Sequence, residues 1–333
     1  MRQLVAGDYP YSIVMKGGGV KGLALAGALV ELGNFYSFNR HVGTSAGAIA
    51  AVLLAADYKP GELVEVFRNK NFTDFLDARW WMLPINLILR QGLYPGEAFR
   101  LWVADQLTTE LRKQAEVRME HLDRAVIYAA RAGQGTLTFD SKGSRREAVA
   151  SFAVRCSMAI PLFFTPTLVD GRRVLDGGLR NNFPLKKFIE TFPGKPFIAI
   201  YLGKPDNRNE RSFGSDILDI VVDGEERELV DSLPKNVAVI DTSPIGTVDF
   251  RMTDEEKDFL LAVGRVSALE LLLRRNLDDG PSEQAVAALR QHVEDMRAAI
   301  IETRRIRQSK RNWRLCLVAL VVALALWRYW LHR

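Results

Sequence analysis

Gly43-Thr44-Ser45-Ala46-Gly47 has the form G-x-S-x-G and follows a short strand ending near Val42. A helix of small residues comes after it, so Ser45 falls on a sharp strand-to-helix turn with its hydroxyl exposed. Gly43 and Gly47 keep neighbouring side chains out of that turn, and the helix N-terminus favours developing negative charge. The alternative is a plain strand-to-helix turn.

A nucleophilic serine needs a base, and the four histidines offer little. His41 belongs to the strand before the elbow, His121 lacks an acid-turn context, His292 lies on a charged helical face, and His332 is penultimate. Asp176-Gly177-Gly178 supplies another candidate, because a carboxylate at a strand end without bulky neighbours can approach a second loop closely. It could take the serine proton directly in a Ser45–Asp176 dyad. Read alone, Asp176 could equally cap a turn, since Asp-Gly is a common turn pair.

A third turn, Gly17-Gly18-Gly19-Val20-Lys21-Gly22, fits G-x-G-x-x-G between a strand and a helix. A dinucleotide site would also want an acid at the end of the next strand. Asn39-Arg40-His41-Val42-Gly43 contains none, which counts against a nucleotide. Beside an elbow, Gly17, Gly18 and Gly19 instead suit an oxyanion hole of backbone N–H groups. Lys21 adds positive charge and helps order the loop, and Gly22 opens the helix.

The elements expected to position these turns alternate strand, turn and helix twice over the first 56 residues, the pattern of an α/β domain with a largely parallel sheet. Further strands are expected at 125–131, 136–139, 197–202 and 238–240, with a hairpin over 165–175 around Asp170-Gly171. Helices are expected through most of 57–122, over 147–159, and from the capping box Thr253–Glu256 to about Arg275. Trp80–Leu89 reads two ways, as lipid-facing surface or acyl channel, or as internal packing of a helical cap.

The three turns, in order, resemble the patatin-like phospholipase family over roughly residues 11–275. Ser157–Phe164, Asn181-Asn182-Phe183-Pro184 and Phe250–Gly264 are similar to the family's surroundings of the aspartate and its closing helix. Lys21 departs from the more usual Arg, keeping the charge but losing the planar fork. The resemblance implies a three-layer fold and a serine acyl hydrolase acting on membrane phospholipids or lysophospholipids. It implies Ser45 as nucleophile, Asp176 as base and Gly17–Gly19 as oxyanion loop, with no metal, no nucleotide and no other cofactor. A neutral-lipid esterase and a non-catalytic scaffold remain as alternatives.

Charge is unevenly spread. Residues 301–333 hold eight Lys/Arg against one acid, so the first 300 carry 37 basic and 39 acidic side chains. A near-neutral domain argues against nucleic-acid binding. Two distant cysteines give no disulfide framework, and Gly7–Pro10 breaks the start of any leader. The tail is expected to form a basic helical stalk over 281–312 and a transmembrane helix over 313–331. Leu315–Trp327 is uncharged between Arg314 and Arg328, with Trp313, Trp327, Tyr329 and Trp330 at its edges. The basic flank predicts a single-pass C-terminal anchor with the catalytic domain facing the cytoplasm.

Overall fold

The computed structural model describes residues 10–111, 116–131, 135–175, 182–203 and 223–331. Strand β1 (Tyr11–Met15) leads through the glycine loop into α1 (Gly22–Gly33), and β2 (Phe38–Thr44) leads through Ser45 into α2 (Ala46–Ala55). Three helices follow, α3 (Pro60–Arg68), α4 (Leu83–Arg90) and α5 (Glu97–Glu110), with a three-residue strand β3 (Gly92–Tyr94) between the last two. Next come β4 (Ala125–Arg131), β5 (Gly135–Asp140), α6 (Ala150–Ser157), β6 (Leu162–Phe164), β7 (Thr167–Val169) and β8 (Arg172–Leu175). The remainder is α7 (Leu185–Thr191), β9 (Phe197–Leu202), α8 (Asp223–Ser232), β10 (Val237–Ile240), α9 (Asp254–Arg275) and α10 (Glu283–Leu331).

The central sheet has the order β10-β9-β1-β2-β4-β8-β7, with β5 also paired to β4. From β10 to β4 every pairing is parallel, whereas β5, β8 and β7 join antiparallel. The apolar runs Ile13–Met15 and Ile198–Leu202 are buried because helices cover both faces of a parallel sheet. Strands β3 and β6 form a separate two-stranded sheet, which helical expectations for 57–122 did not include.

Helices α1 and α9 cross at small residues. A Cβ at Gly264 would overlap the Ala24 carbonyl, and one at Gly27 the Leu261 carbonyl, so the backbones touch where a side chain would hold them apart. Thr253 and Glu256 cap α9 reciprocally, with Oγ1 accepting from Glu256 N at 3.4 Å and Glu256 Oε2 from Thr253 N at 3.0 Å. Helix α10 lies along α9 and buries Val286, Val293 and Ile300 at seven-residue spacing. Arg304 fixes it further, donating to Asp249 at 2.7 Å and to Glu256 at 2.9 Å.

The membrane anchor needs correction. Among the described residues no helix is long and apolar enough to cross a membrane. The uncharged run Leu315–Trp327 has thirteen residues, which rise about 20 Å against about 30 Å of hydrocarbon. Reaching nineteen requires carrying Arg314 and Arg328 inside, so the expected single-pass anchor and its cytoplasmic orientation are not retained.

Candidate active site

Ser45 closes β2 and stands at the N-cap of α2 with φ 52° and ψ −120°. Few non-glycine residues adopt such a backbone, and the strain is of the kind concentrated at functional turns. A Cβ at Gly43 would overlap the Gly47 carbonyl, and one at Gly47 the Met15 carbonyl. Both glycines are therefore required by backbone contact around the elbow. The hydroxyl expected to stand exposed is instead buried, Ser45 being 2% exposed.

Its immediate partners come from the end of α6. The Ser45 N–H donates to Ser157 Oγ at 2.8 Å, and Ser157 Oγ donates to the Tyr128 carbonyl of β4 at 2.5 Å. Ser157 thus joins the elbow to the neighbouring strand through one hydroxyl. The Ser45 hydroxyl donates to Met158 Sδ at 3.0 Å, a weak acceptor that leaves the oxygen easily redirected.

The glycine loop lies against the serine. A Cβ at Gly17 would come within 2.9 Å of Ser45 Cβ. Gly19 has φ 57°, and a side chain there would overlap the Thr247 carbonyl, which accepts from Val20 N at 3.2 Å. Gly22 and Ala46 begin the two helices side by side, with a Cβ at Gly22 only 3.2 Å from Ala46 Cβ. Lys21 sits on the single 3-10 turn between loop and helix. So the loop, the elbow and the starts of α1 and α2 converge.

Asp176, Gly177 and Gly178 lie outside the described residues, but the chain on either side reaches the site. Along β4, Tyr128 is paired with Thr44 of β2 and with Thr138 of β5, whereas Ala130 is paired with Leu175 of β8 and with Thr136 of β5. A strand has two edges. Since β5 occupies one of them throughout, β2 and β8 share the other and run toward each other. Beyond residues 176–181, the Asn182 carbonyl accepts from Gly17 N at 2.9 Å. Phe183 N donates to Glu226 Oε1 at 2.8 Å, and Glu226 Oε2 is 3.7 Å from the buried Lys16 ammonium. Lys16, next to the glycine loop, also lies 3.8 Å over the Tyr201 ring.

No described histidine serves Ser45. His41 is buried in β2, and desolvation, reinforced by the Arg124 guanidinium, lowers its pKa to about 3. His121 Nδ1 accepts from Arg118 N at 3.1 Å, and His292 is exposed on α10. Among the described residues no group of His, Cys, Asp and Glu could hold a metal ion.

A family profile described as patatin-like phospholipase matches residues 13–189, just over half of the chain. The chain belongs to the patatin-like phospholipase family. It is 29% identical over 290 residues to the uncharacterised protein YqhO of Bacillus subtilis, covering 79% of this chain and 97% of that protein. A probable lipid hydrolase, 463L of Invertebrate iridescent virus 6, is 23% identical over 199 residues, 53% of this chain and 62% of that one. Among solved structures, VipD from Legionella pneumophila has a TM-score of 0.54 at 16% identity, covering 82% of this chain and 70% of VipD. That last likeness is one of fold. Membership makes this chain one of a family of lipid hydrolases with an α/β, mostly parallel patatin-like sheet.

The pairings of Ser157 with Ser45, Asn182 with Gly17 and Thr247 with Gly19 are not apparent from the residues alone. Ser157 and Asn182 stood in segments already singled out by resemblance. Thr247 carried no local signal.

Proposed function

We propose that this patatin-like protein hydrolyses acyl esters of phospholipids or lysophospholipids through a Ser45–Asp176 dyad. The observation that carries the reading is the shared edge of β4. Thr44 and Leu175 end two opposed strands opposite Tyr128 and Ala130, two positions apart or about 7 Å along the strand. The residues that follow them are Ser45 and Asp176.

In this reading Ser45 Oγ attacks the ester carbonyl carbon while its proton passes to Asp176. The oxyanion is held by the N–H groups of Gly18 and Gly19, the Gly17 N–H being taken by the Asn182 carbonyl. The tetrahedral intermediate collapses as the carbon–oxygen bond to the leaving alcohol breaks and that oxygen takes the proton. Water then repeats the sequence on the acyl-serine, releasing a fatty acid and restoring Ser45. Preorganised N–H donors of this kind are each worth about 10²–10³ in turnover.

The test is fatty-acid release from a defined phospholipid and its lysophospholipid by wild type, Ser45→Ala and Asp176→Asn. Release by wild type alone supports the reading; equal release by Asp176→Asn rejects the dyad.

A further inference from the structure

Helix α4 is built inside out. Its one buried residue is the polar Asn86, whose Nδ2 donates to the Leu93 carbonyl at 3.0 Å. Ile88 and Leu89 are 79% and 76% exposed, Ile85 and Leu87 are exposed too, and Trp80 just before the helix is 78% exposed. Ordinary amphipathic helices turn such residues to the core. Here the hydrogen bond from Asn86 anchors the helix to the following strand and leaves the apolar face outward. Contiguous exposed apolar surface of this kind marks a binding face.

The charges around it indicate the occupant. From Ala78 to Gly96 there is no carboxylate, and Arg79 and Arg90 bracket the helix. The nearest upstream acid, Asp77, is engaged at the start of α5, accepting from Gly96, Glu97 and Ala98 N–H groups at 2.7–3.0 Å. Trp80 and Trp81 stand at one end, with the Arg79 guanidinium 5.0 Å from the Trp81 ring. Aliphatic centre, tryptophan edge and cationic rim together match the layers of a phospholipid surface: acyl chains, interface, phosphate.

The face also leads to the serine. Gly92, two residues beyond α4, pairs with Leu162 of β6, which is itself 64% exposed with φ 64°. Four residues earlier, Met158 accepts the Ser45 hydroxyl.

We infer that α4 and its tryptophans form the surface by which this protein docks on aggregated lipid, presenting the interface to the β3–β6 side of the site. The inference rests on the lipid-hydrolase reading, and its test separates binding from catalysis. Full-length Ser45→Ala protein is titrated with phosphatidylcholine vesicles and with vesicles that also contain phosphatidylglycerol, read by co-sedimentation and tryptophan emission. Adding Ile88→Asp and Leu89→Asp together should weaken vesicle binding roughly tenfold or more. Arg79→Glu with Arg90→Glu should remove the preference for anionic vesicles. In protein that keeps Ser45, the Ile88→Asp/Leu89→Asp pair should cleave a monomeric short-chain ester normally but vesicle lipid poorly.

Unchanged vesicle affinity in that pair overturns the proposal. So does equal loss on the monomeric ester, which would make the face an acyl channel. A dimer that the pair converts to monomer, with vesicle binding intact, would assign the face to a second copy and likewise overturns it. Vesicle binding through α4 by a wild type that releases no fatty acid would reject the hydrolase reading and leave the docking surface standing.

Discussion

Thr44 and Leu175 end two strands that approach each other along one edge of β4, with Ala129 the only β4 residue between their partners. Opposed strands sharing an edge cannot both continue. The residues that follow the two strands in the chain are Ser45 and Asp176. Sheet topology therefore supports the proposed pair independently of either loop's sequence.

The glycine loop should not respond uniformly to alanine. Gly19→Ala puts a side chain on a φ of 57° and into the Thr247 carbonyl, and Gly17→Ala crowds Ser45 Cβ. Gly18→Ala meets chiefly the movable Cδ1 of Leu202, at 2.6 Å. Esterase turnover should fall about 10²–10³-fold for Gly17→Ala and Gly19→Ala if oxyanion donors are displaced, and clearly less for Gly18→Ala. Steady-state kinetics on one ester, with folding checked by circular dichroism, reads the order. Equal tolerance of all three substitutions would reject the loop's role.

Ser157→Ala should destabilise the fold more than a buried serine usually does. It strips a partner from the Ser45 N–H and from the Tyr128 carbonyl in one change. Leaving such buried groups unpaired costs about 1–3 kcal/mol. A urea midpoint measured for the variant should drop accordingly, while an unchanged midpoint would mean that another group replaces the hydroxyl.

Acid should weaken the fold through His41. Its folded pKa is depressed to about 3, against about 6.5 in an unfolded chain. Below that upper value the unfolded state takes up a proton that the folded state refuses. Stability is therefore complete above about pH 6.5 and declines progressively toward pH 3. His41→Asn should show a flatter dependence when urea midpoints are compared at about pH 7.5 and about pH 5. Equal slopes in the two proteins would show that His41 does not govern this range.

Much of this was legible from residues alone, for identifiable reasons. The apolar runs of β1, β4 and β9 are buried on both faces, so composition suffices to mark them. The capping box of α9 is a local rule and appears in the structure as expected. The β3–β6 sheet was invisible because its strands are three residues each and 70 positions apart. The same holds for Ser157, which meets Ser45 across 112 positions. Trp80–Leu89 stayed ambiguous because helical spacing reads alike whether its apolar face turns in or out; the Asn86 hydrogen bond to Leu93 settles the direction. The anchor expectation relied on aromatic edges around an uncharged run of thirteen residues, too short alone to span a bilayer.

Ser45 and Asp176 are proposed here as nucleophile and base on a lipid ester. The most direct measurement is the rate of fatty-acid release from a phospholipid by folded wild type, Ser45→Ala and Asp176→Asn at matched concentration. Wild type should release fatty acid, Ser45→Ala none detectable, and Asp176→Asn at least about 10²-fold less than wild type. Release by Asp176→Asn within a few-fold of wild type, or none by wild type itself, would contradict this proposal.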